Sequence, residues 1–140
     1  MNLQLSLKKQ WFLLTESGIK LEDYREVTPY WCKRLLLGHG NKLSKEYVDL
    51  EIEVLCDELN GAINCMGELD EEIEFVLDNY YASFVQFATN IMTLGYPSKT
   101  DESRILRYEH AGIEIRTGVE LWGAEPNKLY FVIKHGKRIN

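Results

Sequence analysis

Residues 3–27 read LQLSLKKQWFLLTESGIKLEDYREV and contain three predicted elements in succession. Apolar and polar residues alternate over residues 2–7, which predicts a half-buried strand. The spacing then becomes helical from Lys8 to Ser17, and Gly18 supplies a helix stop. Residues 21–27 predict a second strand without a cleanly apolar face, as expected where one side of a strand lines a cleft. A strand, a helix and a second strand therefore open the fold.

The middle of the chain predicts further helices. Thr28 can cap a short helix that carries Pro29 in its first turn and reaches residue 37. Ser44 can cap a helix ending near Leu59, with Tyr47, Leu50, Val54 and Leu55 on its apolar face. A second helix is predicted over residues 69–80. The two helices of residues 44–80 therefore predict a helical hairpin.

The last part of the chain predicts strands. Three segments are expected to be extended, one of them bent or divided near Gly112; they are residues 83–88, 104–116 and 129–133. Glu125-Pro126-Asn127-Lys128 is a turn before the last of them. We expect one α+β domain over residues 1–140, with about five or six strands and an inserted helical hairpin.

Charge is distributed unevenly along the chain, whose formal net charge is −6. Residues 1–43 carry 7 basic and 4 acidic residues, and residues 81–140 carry 8 basic and 6 acidic residues. Residues 44–80 carry 1 basic and 12 acidic residues. The sequence therefore combines a mildly basic body with one strongly acidic segment.

Several classes of protein are disfavoured by composition and motifs. No apolar run reaches the roughly 20 residues of a membrane span, and no secretory leader is recognisable, so we expect a cytoplasmic protein. Cys32, Cys56 and Cys65 lack the paired spacing of a structural zinc site, and no metal or other cofactor is expected. The sequence contains no P-loop, no G-x-G-x-x-G, no H-E-x-x-H and no G-x-S-x-G. Kinases, dinucleotide oxidoreductases, zincins and α/β-hydrolases are therefore disfavoured.

Two segments resemble the ASCH branch of the PUA-like fold. The first combines Leu5-Ser6-Leu7-Lys8-Lys9, Ser17-Gly18-Ile19-Lys20 and Tyr24-Arg25-Glu26, with Pro29-Tyr30-Trp31 following. The second combines Trp122-Gly123-Ala124-Glu125-Pro126 with Leu129-Tyr130-Phe131-Val132-Ile133. The resemblance implies a PUA-like β-barrel with a cleft beside the first helix, in a family associated with RNA or nucleotide binding. The acidic segment is then interpreted as an insertion.

The resemblance also implies candidate site residues. Some small bacterial relatives hydrolyse acetylated cytidine with a Lys, a Thr and a Glu; the Lys corresponds to Lys20 and the family Arg to Arg25. The Thr position holds Asp23, which has no hydroxyl, and no motif places the Glu. Fold analogy does not supply the missing group.

The leading hypothesis is an RNA- or nucleotide-binding module. Lys20 and Arg25 are the expected anion anchors, Glu22 or Asp23 their partners, and Tyr24 or Trp122 the surfaces on which a base stacks. Each has a structural alternative, namely ion pairs along a solvated strand for the charged residues and a plug at the barrel end for Trp122.

Two more pairs of interpretations stay open. Lys8 and Lys9 form either a basic mouth for an anion or an ordinary exposed pair. Glu125 is either an acid/base group or a turn residue. An alternative function is therefore an amidohydrolase or nuclease that uses Lys20 with Glu22, Asp23 or Glu125. A second alternative is a protein-interaction adaptor that acts through the acidic helices.

Overall fold

The computed structural model describes residues 1–140 and contains five α-helices and eight strands. The helices are α1 (Lys9–Glu16), α2 (Pro29–Leu35), α3 (Leu43–Glu46), α4 (Asp49–Gly61) and α5 (Leu69–Asn79). The strands are β1 (Asn2–Leu7), β2 (Glu22–Glu26), β3 (Leu36–Gly38), β4 (Asn41–Lys42), β5 (Ala82–Phe84), β6 (Thr89–Leu94), β7 (Ile105–Thr117) and β8 (Leu129–Arg138). Short 3-10 turns cover Ala62–Asn64, Glu102–Arg104 and Glu120–Trp122.

The strands form two sheets. The larger has the order β1-β6-β7-β8-β2, and the smaller has the order β4-β3-β5. Strand β1 pairs with β6 in parallel, and β6 pairs with β7 in antiparallel orientation. The α+β class is confirmed, with five strands in the main sheet; that this sheet is a PUA-like barrel stays a prediction.

The chain divides into two compact units. Unit 1 contains Met1–Asp23, Gln86–Ile113 and Ile133–Asn140, and unit 2 contains Tyr24–Val85 and Glu114–Val132. The core of unit 1 includes the alternating leucines of β1, Met92 of β6 and Leu106 of β7. The core of unit 2 includes Leu55 and Leu59 of α4. That residues 1–140 form a single domain stays a prediction.

The predicted opening of the chain agrees with the structure. The alternation in β1 leaves its even-numbered residues exposed and its leucines buried, as period two requires. Helix α1 lies within the predicted range, and β2 within residues 21–27. The Thr28 hydroxyl accepts a hydrogen bond from the Trp31 amide and caps α2, as predicted.

The predicted helix from Ser44 was wrong in its start and only partly right in its buried face. Tyr47 has extended backbone, with φ −132°, and separates α3 from α4. Helix α4 begins after Val48, whose amide donates to the Glu51 carboxylate. Leu55 is buried as predicted, but Leu50 is 68% exposed and Val54 is also exposed. Ile52, Cys56 and Leu59 complete the buried face.

Other boundaries also differ from the prediction. Residues 36–38 form β3 rather than the end of a helix, and residues 83–88 are largely the connection between β5 and β6. Strand β6 was not predicted. Strand β7 is continuous through Gly112, and β8 extends past residue 133 to Arg138. The later helix was predicted correctly to within one residue, and α5 contacts α4.

No helix of the structure combines the length and apolar character needed to cross a membrane.

Candidate functional site

Lys20 enters the interior of unit 1 at the turn that follows α1. The amides of Ile19 and Lys20 both donate to the Leu14 carbonyl, which closes the end of the helix. Gly18 has φ +80°, a left-handed conformation that glycine adopts without the steric cost of a Cβ atom. The turn therefore directs Lys20 inward, and its side chain is only 2% exposed.

The Lys20 ammonium is bound by its neighbours in sequence. Its Nζ donates to Asp23 Oδ1 at 2.5 Å and to the Glu22 carbonyl oxygen at 2.6 Å, and it lies 6.0 Å from the ring centroid of Trp11. Asp23 is buried as deeply as Lys20. The structure thus brings together three predicted site residues, Lys20, Glu22 and Asp23. Glu22 takes part through its backbone carbonyl.

Two residues that sequence reasoning did not select extend this pair. His135 Nε2 lies 2.6 Å from Asp23 Oδ2, and His135 Nδ1 lies 2.8 Å from the side-chain nitrogen of Asn90. Asn90 is fully buried and also donates to the Lys134 carbonyl oxygen at 3.1 Å. The ion pair is therefore one end of a longer polar network.

His110 forms the other end of this network. Its Nδ1 lies 2.7 Å from Asn90 Oδ1, and its ring forms a T-shaped contact with the Phe87 ring at 5.5 Å between ring centroids. His110 is partly exposed, whereas the side chains of Lys20, Asp23 and Asn90 are almost entirely buried. We call Lys20, Asp23, His135, Asn90 and His110 the buried network; it lies entirely in unit 1, and His110 is its end nearest to solvent.

The hydrogen bonds of the buried network have one consistent direction. The Lys134 carbonyl oxygen only accepts, so the Asn90 nitrogen must face it and the same nitrogen donates to His135 Nδ1. His135 is then the neutral tautomer with its proton on Nε2, which donates to Asp23. His110 Nδ1 donates to the Asn90 oxygen. No buried side-chain nitrogen or oxygen lacks a partner.

Asp23 is ionised at neutral pH. Burial raises the pKa of this carboxyl group, but the hydrogen bond from His135 and the charge of Lys20 outweigh burial and lower the pKa to about 2. An ion pair with this carboxylate favours the protonated amine of Lys20. At neutral pH the pair therefore supplies a fixed carboxylate and a fixed ammonium rather than a general acid and an amine nucleophile.

The partly exposed histidine behaves differently. Burial, followed by the nearby His135 and Lys134, lowers the pKa of His110. His110 is therefore neutral at pH 7, and its Nε2 is then an acceptor.

Two lysines at the start of α1 remain on the surface. Lys8 precedes the helix and Lys9 begins it, and both are exposed. Since Lys20 is buried, these lysines are the predicted anion contacts of unit 1 that solvent reaches directly.

Tyr24 and Arg25 belong to unit 2, where protein groups surround them. The Arg25 guanidinium donates to the Tyr24 carbonyl oxygen at 2.8 Å and lies 5.4 Å from the ring centroid of Trp31. The Tyr24 hydroxyl accepts from the Val119 amide, and its ring packs against Tyr130 at 5.6 Å. Both side chains are half-buried parts of the packing of unit 2, and their contact with a ligand stays a prediction.

Glu125 and Trp122 also belong to unit 2. The exposed Glu125 carboxylate accepts from Lys128 Nζ at 3.2 Å, and the same nitrogen donates to Glu26 at 2.5 Å. Trp122 is half-buried and ends the turn Glu120–Trp122. Their roles as an acid/base group and as a stacking surface stay predictions.

The acidic helices expose apolar side chains beside carboxylates. Met66 is fully exposed, Phe75 is 61% exposed, and both line an open groove of about 450 Å³ with Glu68, Glu71 and Glu72. A protein partner at this surface stays a prediction. No cluster of three or more His, Cys, Asp or Glu side chains is arranged to hold a metal ion.

Comparison with protein-family models, with curated proteins and with solved structures gives no match. The resemblance to ASCH proteins therefore rests on the sequence motifs alone.

Proposed function

We propose that this protein is an RNA- or nucleotide-binding module and that unit 1 provides its anion-binding surface. The observation that carries the proposal is the partition of charge between the two units. Unit 1 holds 9 basic and 6 acidic residues, a net charge of +3. Unit 2 holds 7 basic and 16 acidic residues, a net charge of −9, and the two sum to the −6 of the whole chain. Phosphate groups are bound by cations, so the basic unit is the favoured site.

The exposed cations of unit 1 are the expected phosphate contacts. Lys8 and Lys9 lie in solvent at the start of α1, whereas the charge of Lys20 is buried and compensated by Asp23. We therefore assign the phosphate to Lys8 and Lys9, and we assign to Lys20 the positioning of the turn that precedes β2. This assignment retains the predicted basic mouth and changes the role of its innermost lysine.

The test measures binding of a labelled single-stranded RNA by fluorescence anisotropy at several salt concentrations. The variant Lys8→Gln/Lys9→Gln should weaken binding and lower the salt slope by about 0.7 for each phosphate that the removed lysines had neutralised. The matched control is Lys42→Gln/Lys45→Gln, which removes two exposed lysines from the acidic unit. Equal effects of the two double variants, or no binding by the unmodified protein, would refute the proposal.

The hydrolase alternative is favoured by the buried network. A hydrogen-bonded chain from Lys20 to His110 holds a carboxylate, an ammonium and two neutral imidazoles in fixed geometry, which is the kind of preorganisation that stabilises charge in a transition state. Substrate would have to reach the network near His110, because Lys20 and Asp23 are closed to solvent.

Turnover of acetylated cytidine, followed by mass spectrometry, tests this alternative. A hydrolase of this type should release free cytidine, and His110→Gln should slow the release while the protein stays folded. Absence of product at high enzyme concentration would eliminate the amidohydrolase interpretation.

A further inference from the structure

A groove of about 410 Å³ lies on one face of the main sheet in unit 1. Its floor is a row across three strands, in which Gln4 of β1 pairs with Ile91 of β6, and Ile91 pairs with Arg107 of β7. Successive residues of a strand point to opposite faces, and the neighbours Asn90 and Met92 are buried on the other side. The groove is therefore separated by the sheet from the buried network.

The loop that follows β6 forms one side of the groove. Three hydrogen bonds fix its backbone: Thr93 and Ser6 donate to the Gly95 carbonyl oxygen, and Arg104 donates to the Leu94 carbonyl oxygen. Gly95 has φ +68°, which lets the chain turn back over the sheet. The loop is thus anchored at its base and presents the residues after Gly95.

Tyr96 is the most informative residue of this loop. It lines the groove, yet it is 97% exposed and packs against almost nothing. A large aromatic ring exposed to this extent beside the apolar side chains of Ile91 and Ile105 is unusual for a folding role, since aromatic rings normally bury most of their area. A planar ligand in the groove would contact both this ring and the apolar side chains of Ile91 and Ile105.

The polar lining favours an anionic ligand. Lys99 and Arg107 line the groove, and Gln4 and Thr93 add neutral hydrogen-bonding groups. The Arg107 Nη1 atom donates to the Glu102 carboxylate at 2.6 Å, which orients the guanidinium and leaves its other nitrogens for a second acceptor. The volume falls within the range of small-ligand sites.

We infer that this groove binds a nucleoside phosphate, with the base against Tyr96 and the phosphate at Arg107 and Lys99. The inference rests on the proposed function, because the groove lies in the unit to which the proposal assigns anion binding, and it adds a phosphate contact at Arg107 and Lys99 that is separate from Lys8 and Lys9. The same chemistry is present in a free nucleotide and in one residue of a single strand. The sheet face selects the ligand by stacking and charge together rather than by charge alone.

The experiment compares four probes by isothermal titration: a nucleoside 5′-monophosphate, the matching nucleoside, inorganic phosphate and a single-stranded RNA hexamer. Tyr96→Ala should weaken binding of the monophosphate or the hexamer by roughly 5- to 150-fold, whereas Tyr96→Phe should keep it. Arg107→Gln should weaken it by about 10-fold or more. Lys137→Gln, which removes an exposed charge of unit 1 outside the groove, is the matched control and should change it less than about twofold.

The outcomes separate the site from the function. Tighter binding of the hexamer than of the monophosphate identifies a strand as the ligand, and the reverse identifies a free nucleotide. Binding that survives Tyr96→Ala and Arg107→Gln but is abolished in Lys8→Gln/Lys9→Gln would overturn the groove and leave the proposed function intact. No binding of any probe would overturn both.

Discussion

The buried ion pair predicts a large effect for a substitution that changes almost no volume. Asp23→Asn keeps the shape of the side chain but removes its charge and one of its two acceptors. The Lys20 ammonium, 2% exposed, would lose the carboxylate that compensates it. Removing one partner of a buried pair typically costs about 3–5 kcal/mol, a large fraction of the ~5–15 kcal/mol that stabilises a folded domain.

The hydrogen-bond direction of the buried network makes this cost hard to avoid. If the oxygen of the new amide in Asp23→Asn accepts from Lys20, the nitrogen of that amide faces the proton on His135 Nε2. A change of the His135 tautomer would place a proton opposite the Asn90 nitrogen, which the Lys134 carbonyl oxygen holds in place. One donor is therefore left without an acceptor in every arrangement.

The assay is a double-mutant cycle of Lys20→Met and Asp23→Asn, with urea unfolding followed by circular dichroism. The double variant should cost at least about 1 kcal/mol less than the sum of the single variants, because it removes both charges. Additivity to within about 0.5 kcal/mol would refute a direct interaction, and so would a loss below about 1 kcal/mol for Asp23→Asn alone.

The pH dependence of stability gives a second measure of the same pair. The folded pKa of Asp23, about 2, lies below its ordinary value of 3.8, so the unfolded chain takes up the proton first. The stabilisation, about 2 kcal/mol, is present above about pH 4 and is lost as the pH falls through 2. The gap in stability between the unmodified protein and Asp23→Asn should therefore narrow in acid.

Two further predictions concern other groups. His110→Asn keeps a donor for Asn90 but cannot titrate. Because the pKa of His110 is lowered in the folded state, the unmodified protein should lose stability as the pH falls below about 6.5. The melting temperature of the variant, measured against pH, should not show this decrease. The buried thiols of Cys32 and Cys56 lie 3.0 Å apart and 24 positions apart in sequence. The oxidant diamide should take two electrons and two protons from them and form a disulfide that stabilises the folded state by about 3 kcal/mol, which should raise the melting temperature. Cys32→Ser is the control. An unchanged melting temperature after verified oxidation would contradict this expectation.

The beginning of the chain could be predicted because local rules agree there. In β1 the alternation of leucines coincides with burial, and around Gly18 the helix stop coincides with a left-handed turn. The Thr28 cap followed from residue type and position alone. Each of these features depends on neighbours within a few residues.

The errors in the middle of the chain have a common physical cause. Helix α4 carries apolar residues on several sides, so two helical stripes compete, and tertiary packing chooses the one containing Ile52, Leu55 and Leu59 over Leu50 and Val54. Strand β6 has only Asn90 and Met92 buried along its length, and its strand character depends on pairing with β1, more than 80 residues earlier. No local pattern contains that information.

The candidate site likewise contains residues that the sequence could identify and residues that it could not. Lys20 and Asp23 could be selected because they lie in a motif, and their contact follows from their i, i+3 spacing at a turn. Three separate strands, β8, β6 and β7, supply His135, Asn90 and His110, and all three strands are far from Lys20 in sequence. The available signal was the period of two, which places His135 on the same face as the buried Phe131 and Ile133, and His110 on the same face as Leu106 and Tyr108.

The charge of the whole chain limits what kind of nucleic-acid ligand the proposed binding module would take. A net charge of −6 repels a polyanion, but at physiological ionic strength charges are screened beyond about 8 Å. Binding therefore depends on the cations that touch the phosphates. A groove of about 410 Å³ with two cations accommodates about one nucleotide rather than a duplex. Stacking, which salt affects weakly, must then supply much of the affinity. The proposed groove is therefore expected to recognise a single unstacked nucleotide rather than to bind along a nucleic-acid backbone.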